Sequence, residues 1–244
     1  MLDVVCWKWK PMPGYRSHFN AKSVNVLRNM VARNLQMIHR FTCITDDPTG
    51  IDPDIRIIPL WDTYANIPSP SGPRNPSCYR RLKMFAPEAK ELIGERIVSM
   101  DLDTVVTGDL TPLFDRQDDF IIWGGQSAQP AARGRPWCWY NGSFMMLRAG
   151  AREQVWSRFN PVTSPREAHA ANARGSDQGW ITHCLGTGEK VWTERDGIYS
   201  FRNHVLPGKG RLPPGARLIA FHGAHDPWKS ETVALAPWIQ EYYF

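Results

Sequence analysis

Two aspartates one residue apart, Asp101 and Asp103, directly follow an apolar run that contains Ile97 and Val98. The run is typical of a buried strand, so the pair stands at a strand end. Because side chains alternate along a strand, both carboxylates would project to one side if the extended geometry continued. Two like charges that close need a cation or hydrogen-bond donors. Carboxylate oxygens favour Mn²⁺ or Mg²⁺ bridging to a substrate's phosphates, whereas a surface turn is the plainer interpretation.

Two enzyme chemistries place such a pair at the end of a strand. In phosphatases of the haloacid dehalogenase type, the first aspartate is a nucleophile and the second an acid, and residues 101–105, DLDTV, fit that pattern. In nucleotide-sugar glycosyltransferases of the GT-A type, the pair binds a divalent cation that holds the diphosphate. The phosphatase motif normally ends the first strand, whereas here three strand candidates precede the one that Asp101 follows. The position therefore favours the metal site.

Strand-like and helix-like segments alternate along the chain. The main strand candidates are residues 2–7, 41–45, 55–60, 97–100, 119–125 and 143–148, followed by the shorter pieces KVWTE, GIYSF and RLIAF. Residues 18–35 and 78–85 have helical patterns, and Ser176 is placed to begin a helix over 177–185. This alternation predicts an α/β fold, with a mainly parallel twisted sheet flanked by helices, in one domain over residues 1–244. Ligands of such sheets bind at the carboxyl ends of the strands.

The composition indicates which ligands and which cellular compartment to expect. The net charge is +5, but the basic residues are dispersed, so a nucleotide diphosphate is a better expected ligand than nucleic acid. Five scattered cysteines indicate a reducing compartment rather than disulfides or zinc. The apolar start is soon interrupted by Lys8 and Lys10, and no run is long enough to span a membrane. A cytoplasmic location is expected.

Aromatic residues and loops suggest where a nucleotide sugar would bind. The chain has eleven tryptophans, and Trp7, just after the first strand candidate, is the best candidate for a base-binding surface. Residues 66–77, which contain four prolines, and residues 127–139 are predicted loops. Loops above a rigid sheet carry specificity, so both are expected to form acceptor-side or lid elements.

Four segments in order resemble the glycogenin-like family 8 glycosyltransferases, from about Leu2 to Trp228. They are YRRLKMFAPEAKELIGERIVSMDLDTVVTGDLTPLFD, YNGSFMMLR, SDQGW and IAFHGAHDPW. The resemblance implies the GT-A fold, a UDP-sugar donor, an unidentified acceptor, and Mn²⁺ or Mg²⁺ as cofactor. It implies Asp101 and Asp103 as metal ligands, to which we add His222 from its position on a strand, and Asp177 and Gln178 as catalytic residues. Together with the tryptophan proposed above for the base, the expected substrate-binding residues are Trp7, Arg81, Asp101, Leu102, Asn141, Gly142, Asp177, Gln178, Gly223 and Lys229.

The last segment departs from the family pattern at two positions. Ala220 stands where the family has its metal-binding histidine, but His222 is two residues later and would share its face of a strand. Asp226 replaces the lysine that contacts the diphosphate. An acid there would repel phosphate, so the positive charge is expected from Lys229, Arg81 or His225.

The chemistry implied is metal-assisted transfer from a UDP-sugar with retention of configuration. A metal would stabilise the diphosphate leaving group as the anomeric bond breaks. A double displacement needs a nucleophile, for which Asp177 is the nearby carboxylate, and a front-face mechanism around Gln178 is the alternative. Three other functions stay open: a phosphatase, a nucleotidyltransferase, and a sugar-binding protein without catalysis.

Overall fold

The structure is a computed structural model that describes residues 1–10, 18–72, 75, 77–124 and 140–244. Its strands are β1 Leu2–Lys8, β2 His39–Thr45, β3 Arg56–Pro59, β4 Arg96–Met100, β5 Thr104–Val106, β6 Phe120–Trp123, β7 Asn141–Arg148, β8 Val191–Trp192, β9 Ile198–Ser200 and β10 Leu218–Ala220. Its α-helices are α1 Ala21–Asn34, α2 Ala89–Leu92, α3 Thr111–Phe114, α4 Gln154–Ser157, α5 Ser164–Ala170, α6 Asp177–Leu185, α7 Ser230–Leu235 and α8 Ile239–Tyr242. Tyr79–Phe85 and Glu194–Asp196 are 3₁₀ helices, and Phe201–Val205 is a π-helix.

A seven-stranded sheet with the order β3-β2-β1-β4-β7-β6-β8 forms the centre of the fold. Every strand runs in one direction except β7, which pairs antiparallel with both β4 and β6. The predicted mainly parallel sheet flanked by helices is confirmed. Asp101 directly follows β4, at the carboxyl end of a central strand, where sheets of this kind bind ligands.

Both faces of the sheet are covered, and β1 shows how the sequence achieves this. All seven of its residues are buried. Val4 and Cys6 belong to the core cluster that includes α1, whereas Val5 and Trp7 belong to the cluster on the other face. Successive side chains of a strand point to opposite faces of the sheet. Because helices cover both faces here, neither set of side chains faces water, which explains the nearly continuous apolar run of β1.

A separate three-stranded sheet, β5-β10-β9, follows the aspartates and was not predicted. β10 pairs antiparallel with β5 and parallel with β9. The pairing extends beyond β10, because the Phe221 amide donates to the Asp103 carbonyl oxygen at 3.0 Å. This small sheet therefore brings the C-terminal segment around His222 beside the two aspartates.

Two local predictions needed adjustment. The segment after Cys78 is a 3₁₀ helix rather than an α-helix. The extended geometry of β4 does not continue through the aspartates: the strand ends at Met100, and Leu102 is buried in the core. The predicted loop over 127–139 lies outside the described residues. Within the described part of the chain, no helix has the length and apolar character needed to cross a membrane.

Candidate active site

Arg81 joins two aspartates from different elements at the carboxyl end of β4. Its Nη1 lies 2.5 Å from Asp101 Oδ1, and its Nε and Nη2 both lie 2.7 Å from Asp177 Oδ2. Arg81 comes from the 3₁₀ helix, Asp101 from the end of β4, and Asp177 from the first turn of α6. The arginine thus ties three elements together, and it is the only one of the three groups that carries positive charge.

The ion pairs differ in exposure along this chain of charges. The side chains of Arg81 and Asp177 are 6% and 3% exposed, whereas that of Asp101 is 27% exposed. Burial alone would lower the pKa of Arg81, but the charges of Asp177 and Asp101 raise it well above its ordinary value. Burial raises the pKa of the Asp177 carboxyl, the Arg81 charge opposes that rise, and Asp101 adds to it. Asp101 is consequently the carboxylate that a ligand can reach.

Gly142 lets β7 approach this group of charges. A Cβ atom there would lie 3.0 Å from Arg81 Nη2 and 3.3 Å from Asp177 Oδ2. The Gly142 amide donates to Gln178 Oε1 at 3.2 Å, and the Gln178 amide nitrogen lies 3.4 Å from the Arg174 carbonyl oxygen. Gln178 is thereby held at both ends of its amide and is only half-buried.

Local hydrogen bonds set the positions of α6 and of the start of β7. Ser176 precedes α6, as predicted, but its hydroxyl does not cap the helix. It accepts the Cys78 amide at 2.8 Å instead, which fastens α6 to the segment carrying Arg81. The Asn141 side chain accepts the Ser143 amide at 2.8 Å, so in this structure Asn141 stabilises its own turn.

His222 lies in a different polar group, beside Asp103 through the backbone. Its Nε2 is 2.7 Å from the Ser200 hydroxyl, which also accepts the Asn203 amide at 3.2 Å. In the residues that the structure describes, no group of three or more histidine, cysteine, aspartate or glutamate side chains is arranged to hold a metal ion. Asp101, Asp103 and His222 are therefore not gathered into a three-ligand centre here.

The acid that replaces the family lysine, Asp226, is fully buried and is paired with Lys229. The two charged groups lie 2.8 Å apart, and Lys229 Nζ also donates to the Ala224 carbonyl oxygen at 2.9 Å. Gly223, just before this turn, has a positive φ of 86°. The Lys229 ammonium is thus engaged within its own turn, and the His225 ring packs against Phe201.

Trp7 lies in the core rather than at an open surface. Its indole is 5% exposed, donates from Nε1 to the Ser99 hydroxyl at 2.9 Å, and packs edge-on against Trp61. Of the residues chosen from the sequence, the structure brings together Arg81, Asp101, Gly142, Asp177 and Gln178. The hydrogen bonds of Ser176 with Cys78 and of Ser200 with His222 were not predicted, because a lone serine gives no sequence signal for a long-range hydrogen bond.

Solved structures with the same architecture are glycosyltransferases of the GT-A fold. The galactosyltransferase LgtC, solved with donor and acceptor sugar analogues, aligns with a TM-score of 0.64 at 16% identity, covering 98% of this chain and 94% of that chain. The glycosyltransferase GlyE from Streptococcus pneumoniae aligns with a TM-score of 0.53 at 13% identity, and the alignment covers 94% of this chain and 57% of GlyE. The bifunctional glycosyltransferase WbbM aligns with a TM-score of 0.53 at 15% identity, and the alignment covers 98% of this chain and 50% of WbbM.

The shared architecture establishes the GT-A fold for this chain. Among these structures, LgtC matches this chain over nearly the whole length of both proteins. No protein-family model and no curated protein sequence matches the chain.

Proposed function

We propose that this protein is a metal-dependent glycosyltransferase that transfers a hexosyl group from a UDP-sugar to an acceptor with retention of configuration. The observation that carries the proposal is Arg81, buried and bound to both Asp101 and Asp177 beside the Gly142–Gln178 contact. A sugar hydroxyl needs paired donors and acceptors fixed in a rigid pocket, and this group supplies both at the carboxyl end of β4.

Asp177 is best suited to hold the donor rather than to attack it. A nucleophilic carboxylate needs an oxygen open to the anomeric carbon, but Asp177 is 3% exposed and one oxygen accepts two Arg81 N–H groups. We therefore favour the front-face route. In it, the anomeric C–O bond to the diphosphate breaks, the acceptor oxygen bonds to the same face, and the acceptor proton passes to the leaving diphosphate oxygen.

Gln178 is the residue we place beneath the anomeric carbon. Its amide is oriented by Gly142 and Arg174, so its dipole has a fixed direction before a donor binds. One of the LgtC structures is an active-site mutant in which a glutamine is replaced by glutamate. We propose that Gln178 has the corresponding place in this chain, with Asn141 and Gly142 lining the sugar pocket.

The residues present fit a divalent cation that the substrate helps to hold. Magnesium is commonly bound by one or two carboxylates together with substrate phosphates rather than by a complete protein cage. Asp101 and Asp103 are the two carboxylates, and His222 is the third ligand in the proposal, although no three-ligand group is assembled among the described residues. When bound, the cation would stabilise the negative charge of the leaving diphosphate.

Positive charge for the diphosphate must also come from the protein. Arg81 already neutralises Asp101 and Asp177, and Lys229 is paired with Asp226. Lys229 would reach a diphosphate only after leaving Asp226, and Gly223 would allow the close approach of backbone to phosphate. Lys229 should therefore contribute less to binding of the donor diphosphate than the lysine of the resembling family does.

The phosphatase alternative is not favoured by this geometry. It requires the first aspartate as a nucleophile, yet Asp101 Oδ1 lies 2.5 Å from Arg81 Nη1. A sugar-binding protein without catalysis would have the same Arg81 group, so only turnover separates it from a transferase.

Calorimetric titration of UDP, with Mn²⁺ and then with EDTA, tests the proposal. Asp103→Asn should abolish the metal-dependent part of binding, whereas Asp109→Asn, an exposed aspartate in the same segment, should not change it. Release of free sugar from UDP-sugars then tests turnover. If no UDP binds with or without metal, the UDP-sugar proposal fails. Binding without hydrolysis or transfer would instead favour the non-catalytic protein.

A further inference from the structure

A cavity lies between the start of α1 and the segment that follows β10. Its volume is about 300 Å³, at the lower end of the range for small-molecule sites. It is lined in part by Trp228 and by the C-terminal helix residues Ile239 and Gln240. None of the residues assigned to the donor above lines it.

The cavity has aromatic walls fixed by ring contacts. Trp228 packs edge-on against Phe19, with ring centroids 5.6 Å apart, and lies 6.4 Å from the Tyr243 ring. Trp228 is nevertheless 36% exposed, so part of its indole is open to a ligand. A fixed and accessible indole face suits the C–H surface of a pyranose ring.

The polar lining favours a neutral ligand over an anion. Asn20 and Ser23 belong to the capping box of α1, so the Asn20 oxygen already accepts the Ser23 amide at 3.2 Å. His18 and Lys22 line the cavity but are exposed, so water and salt screen the attraction that they would exert on an anion. Gln240, an exposed amide, provides both a donor and an acceptor for hydroxyl groups.

The cavity lies close to the aspartate pair through the packing of its walls. Helix α8, which carries Ile239 and Gln240, and helix α1 both pack against β5, the strand that directly follows Asp103. A ligand against Trp228 and Tyr243 would therefore lie next to the region where we place the diphosphate.

We propose that this cavity binds one hexose unit of a neutral acceptor glycan, stacked on Trp228 and hydrogen-bonded by Gln240. The inference rests on the proposed transferase function, because it assigns the acceptor side of that same site. It commits to a neutral saccharide, and binding of phosphate in its place is an outcome that the experiment can detect.

Saturation-transfer NMR tests this directly with a panel of sugars and no nucleotide present. The probes are the methyl glycosides of glucose, galactose, N-acetylglucosamine and N-acetylgalactosamine, together with lactose and maltose. At least one should bind, and Trp228→Ala should weaken that binding roughly tenfold, since aromatic contacts are worth about that much. Trp228→Phe should restore part of the loss, and Gln240→Ala should weaken binding by a few-fold.

Phe244→Ala is the matched control, because Phe244 is an exposed aromatic in the same C-terminal segment that stacks on Arg33 instead. It should leave sugar binding unchanged. Gln240 is exposed, so Gln240→Ala should fold normally. It therefore tests the inference even if Trp228→Ala does not fold. Circular dichroism of each variant checks the fold.

Three results would overturn the inference. They are no binding by any sugar of the panel, sugar binding that survives both Trp228→Ala and Gln240→Ala, and displacement of a bound sugar by inorganic phosphate. Failure of UDP to bind the wild type, measured separately by calorimetry, would count against the proposed function alone, because the sugar titrations contain no nucleotide.

Discussion

Arg81 and Arg152 each bridge two carboxylates, but Arg81 is much more deeply buried. Arg81 joins Asp101 and Asp177 with its side chain 6% exposed. Arg152 joins Asp119 and Glu189 with its side chain 25% exposed, at distances of 3.0 Å and 2.6 Å. The contact distances are similar, so distance alone does not separate the candidate site from an ordinary surface network.

The difference lies in what each arginine leaves behind when it is removed. Around Arg152 water can solvate a freed Asp119, whose side chain is 57% exposed, although Glu189 is only 13% exposed, so removing Arg152 leaves one of its two carboxylates in water. Around Arg81 the partner Asp177 is 3% exposed and would become an unpaired buried charge. A protein keeps such a group where function requires fixed charge, and this makes the Arg81 group the stronger candidate for chemistry.

Replacing Arg81 should have the largest effect. Arg81→Met retains much of the volume but leaves Asp177 without a partner, so we expect a loss of about 3–5 kcal/mol in the free energy of unfolding. Sugar transfer and UDP-sugar hydrolysis should fall to background. Urea unfolding and a hydrolysis assay measure the two effects.

The double variant Arg81→Met/Asp177→Leu separates charge from packing. Removing both charges should recover part of the stability but none of the activity. If Arg81→Met alone unfolded no more easily than the wild type, the buried pair would not have the role given to it here.

Gln178→Ala should separate function from stability most clearly. The side chain is half-buried and its hydrogen bonds are long, so the free energy of unfolding should change by less than about 1 kcal/mol. Loss of an oriented dipole beneath the reacting carbon should lower kcat by roughly a hundredfold. Steady-state kinetics with a UDP-sugar measure this, and an unchanged kcat would exclude Gln178 from the reaction.

Gly142→Ala tests how tightly β7 approaches the Arg81 group. The new methyl would lie 3.0 Å from Arg81 Nη2, so the ion pairs must shift, at a cost of about 1–3 kcal/mol. Gly188→Ala is the matched control, because a Cβ there meets nothing within 4 Å. Thermal unfolding compares the two variants, and equal midpoints would show that the site tolerates the added carbon.

The sequence predicted the central sheet well because its signals are local. The apolar runs of β1, β2, β4 and β7 and the helical spacing of α1 each specify an element by themselves. The separate sheet β5-β10-β9 was missed because three-residue strands carry too little pattern to show that they leave the main sheet.

The candidate site residues were also chosen from local signals, and their roles stay predictions. Asp101, Asp177 and Gln178 were chosen from short segments, and the structure places them together with Arg81. The sequence does not indicate that Arg81 bridges two aspartates, since the partners are 20 and 96 residues away. Nor does it indicate that Trp7 faces the core, because a strand covered on both faces has no exposed side to identify.

Arg152→Ala should have a small effect and so sharpen the contrast with Arg81. The pair with the exposed Asp119 should contribute up to about 1 kcal/mol and the bonds to the largely buried Glu189 about as much, so the free energy of unfolding should fall by about 1–2 kcal/mol. Sugar transfer should be unchanged, since Arg152 lies with Asp119 and Glu189 and not with the Arg81 group. A loss of activity without a loss of stability would show that the two regions are not independent.

The smallest expected effect is on the acid sensitivity of the fold. A hydrogen bond from Arg152 lowers the pKa of Asp119 below its ordinary value. A carboxyl group with a lowered pKa in the folded state stabilises the fold above the unfolded pKa of about 3.9, and this contribution is lost as the pH falls through the lower, folded value. Urea midpoints of the wild type should therefore decrease as the pH falls below about 4. In Arg152→Ala the decrease should be smaller, because Asp119 no longer differs as much between the two states. An equal decrease in both proteins would mean that water already screens this pair, and the contrast with the buried Arg81 group would then be greater still.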